Sequence, residues 1–210
     1  MLIAILLPTL STARQTAYRI QCASNHRQTG IAALMYVEDF NQYMAPVRAV
    51  SDGGNFWYDR MHVYIGRDLG TAGRFERDET GHVWHCPADF DADLKRVSLA
   101  VSRGVGFGDG SGDDIFVRYG QMWRYAASPF SVEPLLGSLS NTGWFADVAQ
   151  QTYIRHPQAS NGGFFNWVHP NDTINAVFMD GHVENIPDPD FFTNLDARSD
   201  PFWANFFSMP

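Results

Sequence analysis

The chain has 210 residues, 23 acidic against 15 basic side chains, a formal charge of −8, only two cysteines and an aromatic content of 14%. That length suits one domain with a sizeable core. The charge speaks against nucleic acid, which needs clustered Lys and Arg to displace counterions, and against electrostatic adhesion to anionic lipid.

Met1 to Pro46 reads as one long helix, greasy at its start and polar later. The run from Leu2 to Leu7 is wholly apolar, and Pro8 follows it. Ala13, Ala17, Ile20, Ile31, Leu34 and Met35 then recur at helical spacing and form an apolar stripe, with Arg14, Gln15, Arg27, Gln28 and Glu38 on the solvated side. Gly30 costs about 1 kcal/mol against Ala, and Pro46 is the expected end. The opening apolar run rises only about 9 Å, whereas a bilayer core needs roughly 20 apolar residues, so this run does not span a membrane.

The order of apolar run, Pro8, small residues and Ala13-Arg14-Gln15 resembles the helix of type IV pilin-like proteins and type II secretion pseudopilins. Cys22-Ala-Ser-Asn25 followed by Tyr36 and Asp39 is similar to one large subfamily, the prepilin-type processing-associated proteins, which end in a His–nine residues–Asp-Gly motif. The resemblance implies an α+β fold, a long N-terminal helix packed on an antiparallel sheet. Residues 1–46 would be the helix (a shortened membrane or filament segment plus an amphipathic half) and residues 47–210 the head. It implies a structural subunit or accessory protein of a pseudopilus or pilus-like assembly, with no enzymatic activity. Such a subunit is anchored in the inner membrane, lies outside the cytoplasm and pairs with other pilin-like subunits through the helix. The family's leader, cleavable Gly and Glu do not occur from Met1 onward, so Met1 is read as internal to a longer frame or as the start of a shortened version, with the membrane segment upstream.

Phe56 to Ile65 reads as a short helix with Trp57, Met61 and Tyr64 or Ile65 on one face, an aromatic cluster expected in the core. Arg67 to His82 reads as a surface loop. Cys86-Pro87-Ala88-Asp89 matches the family's Cys-Pro-x-Asp, and both cysteines, Cys22 and Cys86, fall where the resemblance puts them. In an exported protein such a pair is most simply a disulfide tying helix to head. Two separate buried thiols are the alternative. His82, His85 and Cys86 invite a zinc reading, but a second pair of ligands is missing.

Gly104 to Asp114 carries glycines without the Lys-Ser/Thr of a phosphate loop, and Asp109, Asp113 and Asp114 would repel phosphate. A solvated loop is expected there; calcium is the functional alternative, without EF-hand spacing. Ile115 to Tyr125 is a strand candidate, Pro129 to Asn141 a loop or short helix, and Thr142 to Asp147 resembles the family's strand ending in Ala-Asp.

The most specific signal is His169 followed after ten residues by Asp180-Gly181, one residue more than the family's spacing, with Pro170-Asn171-Asp172 the place for a longer turn. Asp-Gly between apolar runs predicts a hairpin with a type I′ turn. That register sets Phe178 opposite Val183 and Met179 opposite His182, with Ala176, Phe178 and Val183 inward and Asn175 and Glu184 outward. Catalysis by His169, Asp180 and His182 would need a nucleophile that the sequence does not offer, so His169 is expected to bond backbone near the hairpin. The aromatic tail from Phe191 to Phe207 suits a fold-back or a subunit contact. Two rival functions carry their own marks. A glycan- or peptide-binding module would line a groove with exposed Trp57, Trp144 or Trp203. A metallo-hydrolase would bring three of His62, His82, His85, His156, His169 and His182 to one point.

Overall fold

In a computed structural model of the chain, the described residues are 2–49, 51, 55–66, 83–89, 97–106, 115–124, 131–135, 137–148, 153–154 and 169–187. The architecture is α+β: a long N-terminal helix lies against a five-stranded sheet in which four adjacent strands are antiparallel.

The helix α1 spans Leu2–Asp39, with Pro8 inside it. It stops seven residues before Pro46, and the cause is a cap rather than the proline. Asn41 and Gln42 take left-handed φ of 53° and 67°, and the Gln42 amide donates to the Val37 carbonyl at 2.9 Å. This is the Schellman closure, with Asn in the place more often held by Gly.

The buried face of α1 is not the expected stripe. Ile20, Ile31 and Met35 are 62, 50 and 48% exposed, as are Leu7 and Leu10 at 65 and 69%. Cys22, His26, Thr29, Gly30, Ala32, Ala33, Tyr36 and Val37 turn inward instead. Small residues allow close approach: a Cβ added at Gly30 would meet Val177 Cγ1 at 2.8 Å. From Leu7 to Gln21 the described side chains are exposed or half-buried, and Cys22 is the first buried one.

A short helix α2, Trp57–Met61, runs on into a 3-10 turn, His62–Ile65. Trp57 and Met61 are fully buried, as expected. Trp57 meets Trp84 and Phe145 with ring centroids 5.6 and 5.2 Å apart, and together with Tyr36, Val37 and Trp144 they form the core.

The strands are β1 (Leu99–Ser102), β2 (Gln121–Arg124), β3 (Ser131–Pro134), β4 (Gly143–Asp147), β5 (Tyr153–Ile154), β6 (Thr173–Phe178) and β7 (Val183–Pro187). The main sheet runs β5-β1-β4-β6-β7, antiparallel except for the parallel β1–β5 pair, and β2 and β3 form a separate ribbon. The strand expected from Ile115 shrinks to β2, because Gly120 at φ 85° turns the chain first. The segment from Pro129 holds β3, not only loop or helix.

The β6–β7 hairpin forms, with a register one residue from the expected one. Val177 pairs with Val183 and Ala176 with Glu184. The Gly181 amide donates to the Phe178 carbonyl, and only Gly181 (φ 87°) is left-handed at this turn. The loop is therefore the three-residue type closed by an αL glycine. Two consecutive positive φ values, the type I′ mark, occur instead at Asn171 and Asp172 (64° and 52°). They turn the chain from His169 into β6 at the predicted longer turn. Within β6, Asn175 is 1% exposed rather than outward-facing.

Candidate functional site

Cys22, Asn25, His26 and Thr29 recur at three- and four-residue steps, which puts them on one face of α1. That face looks onto the end of β4 and the start of β6. Asp147, last residue of β4, is 1% exposed and has three hydrogen-bond partners. His26 Nε2 lies 2.8 Å from its Oδ1. His169 Nε2 lies 2.9 Å from its Oδ2, and the Asn175 backbone N–H donates to the same oxygen at 2.8 Å.

Asn175 extends the network: its Nδ2 lies 3.0 Å from His169 Nε2 and reaches the Arg19 carbonyl at 3.4 Å. Its Oδ1 accepts from Asn185 Nδ2 of β7 at 3.3 Å. Burial holds the His26 pKa below its ordinary value; Asp147 opposes this and His169 reinforces it. His26 is accordingly neutral at pH 7 and donates to Asp147 through Nε2–H. His169 Nδ1 is buried with no hydrogen-bond partner among the described residues.

Beside this network Cys22 and Cys86 form the expected disulfide, with Cα atoms 5.0 Å apart. Asn25 Nδ2 donates to the His85 carbonyl at 3.1 Å, fixing the Cys86 segment against the helix a second time. A cavity of about 10 Å³, room for about one water, is lined by Cys22, His26, His85, Cys86, Ser98 and Asp147. Cys86 Sγ is 3.8 Å from His169 Nε2.

The sequence-predicted residues thus divide. His169 joins Cys22 and Cys86, but it bonds the Asp147 carboxylate and the Asn175 side chain rather than backbone. Asp180 and His182 pair with each other at the hairpin tip, where Asp180 Oδ1 also accepts the His182 amide at 3.2 Å. Gly181 serves the turn. His62 bonds the Asp59 carbonyl through Nδ1. Among the described residues the only meeting of three or more His, Cys, Asp or Glu ligand atoms is that of Cys22, Cys86 and His169, within 4.8 Å of one another. His82, His156, Trp203, the acidic loop with Asp109, Asp113 and Asp114, and the aromatic tail lie outside the described residues. Trp57 and Trp144 are buried rather than exposed.

His26 was not among the candidates from sequence; its position four residues after Cys22, on the same helix face, was the available signal. An open groove of about 570 Å³ lies elsewhere, lined by Tyr36, Asp39, Phe40, Tyr43, Arg60 and Phe116. No helix among the described residues is long and apolar enough to cross a membrane. No protein-family model, curated protein or solved structure matches the chain.

Proposed function

We propose that the chain is a pilin-like structural subunit, or an accessory protein, of a type IV pilus-like or type II secretion assembly, held outside the cytoplasm. The observation that carries this reading is the outward stripe of α1. Leu10, Ile20, Ile31 and Met35 are exposed on a helix whose opposite face is fastened to the head. Bulky apolar groups in water are unfavourable by about 25 cal/mol per Å², so a stripe along a rod favours burial against similar rods. The Cys22–Cys86 disulfide suits an oxidising compartment. The Asp147 network gives the helix a fixed seat on the sheet, as a subunit that transmits position rather than turning over a substrate requires.

The test is photo-crosslinking in the cells that make the protein, with a benzophenone amino acid at Ile20 or Ile31. Adducts to helices of like subunits, in a membrane-associated fraction, are expected. Monomer alone in a soluble fraction, or adducts only to the head of an unrelated protein, would reject the reading.

A further inference from the structure

We propose that, when its disulfide is reduced, the chain holds one zinc-like divalent ion on Cys22, Cys86 and His169, with a solvent water as fourth ligand, and that disulfide formation expels it. This does not depend on the pilin-like reading. Three ligand atoms of the kinds zinc prefers already converge within 4.8 Å. Tetrahedral zinc, with bonds of about 2.3 Å to sulfur and 2.0 Å to nitrogen, sets its ligand atoms roughly 3.3 to 3.8 Å apart. Cys86 Sγ and His169 Nε2 stand at 3.8 Å. The two sulfurs must part to a similar distance, and the cavity of about 10 Å³ beside them gives room.

A second observation points to a cation. His169 Nε2 sits 2.9 Å from the Asp147 carboxylate oxygen and 3.0 Å from the Asn175 amide nitrogen. A proton on Nε2 suits Asp147 but faces the Asn175 donor; a lone pair there suits Asn175 but faces the carboxylate. A metal ion on Nε2 takes up that lone pair and sits beside the carboxylate as an opposite charge, with the ring proton on Nδ1. Asn175 then donates to the Arg19 carbonyl.

The redox step balances with a dithiol as reductant. Its two S–H groups give two electrons and two protons, becoming a disulfide, while the Cys22–Cys86 bond is replaced by two thiols. Metal binding sends both thiol protons to solvent, leaving thiolates. The reverse step uses an external disulfide as oxidant: it takes two electrons, re-forms the Cys22–Cys86 bond and frees the ion. Before oxidation the ion would thus join the helix to the head at the point where the disulfide later does.

The experiment is an anaerobic titration of Co²⁺ into the full chain, reduced and freed of reductant. One equivalent giving tetrahedral thiolate absorption, displaced by Zn²⁺ and absent from the oxidised chain, is expected. His169→Gln, confirmed folded in its oxidised form, should weaken Co²⁺ binding about tenfold or more, since even an outer-shell partner of a metal is worth roughly 10–100-fold. No thiolate absorption, or a smaller change in that variant, would overturn the proposal. Should His169→Gln not fold, the ¹¹³Cd chemical shift of the reduced wild type decides. Two sulfurs and a nitrogen sustain the site; two sulfurs with oxygen alone, or exchange-broadened free ion, refute it.

Discussion

Gly30 lies so near Val177 that a side chain's first carbon on the helix would stand 2.8 Å from the valine Cγ1. Alanine gains about 1 kcal/mol of helix propensity there, but overpacking costs about 1–3 kcal/mol, and a β-branched valine has little freedom to yield. Gly30→Ala should therefore lower stability by about 1 kcal/mol net in urea unfolding. Adding Val177→Ala should give a double variant less destabilised than the sum of the two single changes. Additive effects would show that helix and strand do not press on each other.

Asp147→Asn removes the charge on which His26, His169 and the Asn175 amide converge. Losing one partner of a buried hydrogen-bonded cluster costs about 3 kcal/mol or more. Asp180→Asn, at the exposed hairpin tip, should stay within about 0.5 kcal/mol. Equal losses in chemical denaturation would contradict the assignment of Asp147 as the buried centre.

Acid should loosen the protein through His26. Burial places its folded pKa below the ordinary value of 6.5, so below that pH the unfolded chain takes up a proton that the folded chain refuses. Stability is complete above about pH 6.5 and falls as pH drops toward the folded pKa, by at most about 1.4 kcal/mol per pH unit for one proton. His85, also lowered chiefly by burial with Asp89 opposing, acts with the same sign. Denaturation midpoints between pH 7.5 and 5.5 should decline in the wild type and flatten in His26→Gln; an unchanged slope in the variant would assign the effect elsewhere.

Much of this was legible from residue order, for reasons that differ by element. The long helix follows from the spacing of its apolar residues and the absence of any proline between Pro8 and Pro46. Which face it buries does not follow, because Gly30, Ala32, Ala33, His26 and Thr29 make a close-packed polar seat that looks unlike a hydrophobic stripe. The disulfide was readable because only two cysteines exist and both match the resemblance. The hairpin was readable from Asp180-Gly181, but its register was not, since one left-handed glycine makes a three-residue loop where two would make a two-residue one. His26 and the inward turn of Asn175 depend on contacts across more than a hundred residues of sequence, which local pattern does not carry.

Removing the disulfide by a double change, Cys22→Ser with Cys86→Ser, should cost about 4 kcal/mol, the chain-entropy value for a loop of separation 64. Denaturation of the oxidised wild type against the double variant measures it. A loss below about 1 kcal/mol would mean that the Asp147 network seats the helix on its own.

Lysine at the outward stripe separates folding from association. Ile31→Lys and Met35→Lys should leave monomer stability within about 0.5 kcal/mol, because both side chains are about half exposed. The same changes should abolish the crosslinks expected at Ile20. Retained crosslinks would show that the stripe is not the contact.

Because Cys22 is the first buried side chain described along α1, the rod's first buried side-chain anchor on the head is a covalent bond, three residues past the Arg19 carbonyl that Asn175 holds. Traction on the N-terminal end would pass through sulfur into the segment ahead of β1 before it strained the packing of Ala33 or Val37 on the sheet. The joint is thus strongest at the end where a pull arrives, as a rivet set at the edge of a lap seam protects the glue behind it.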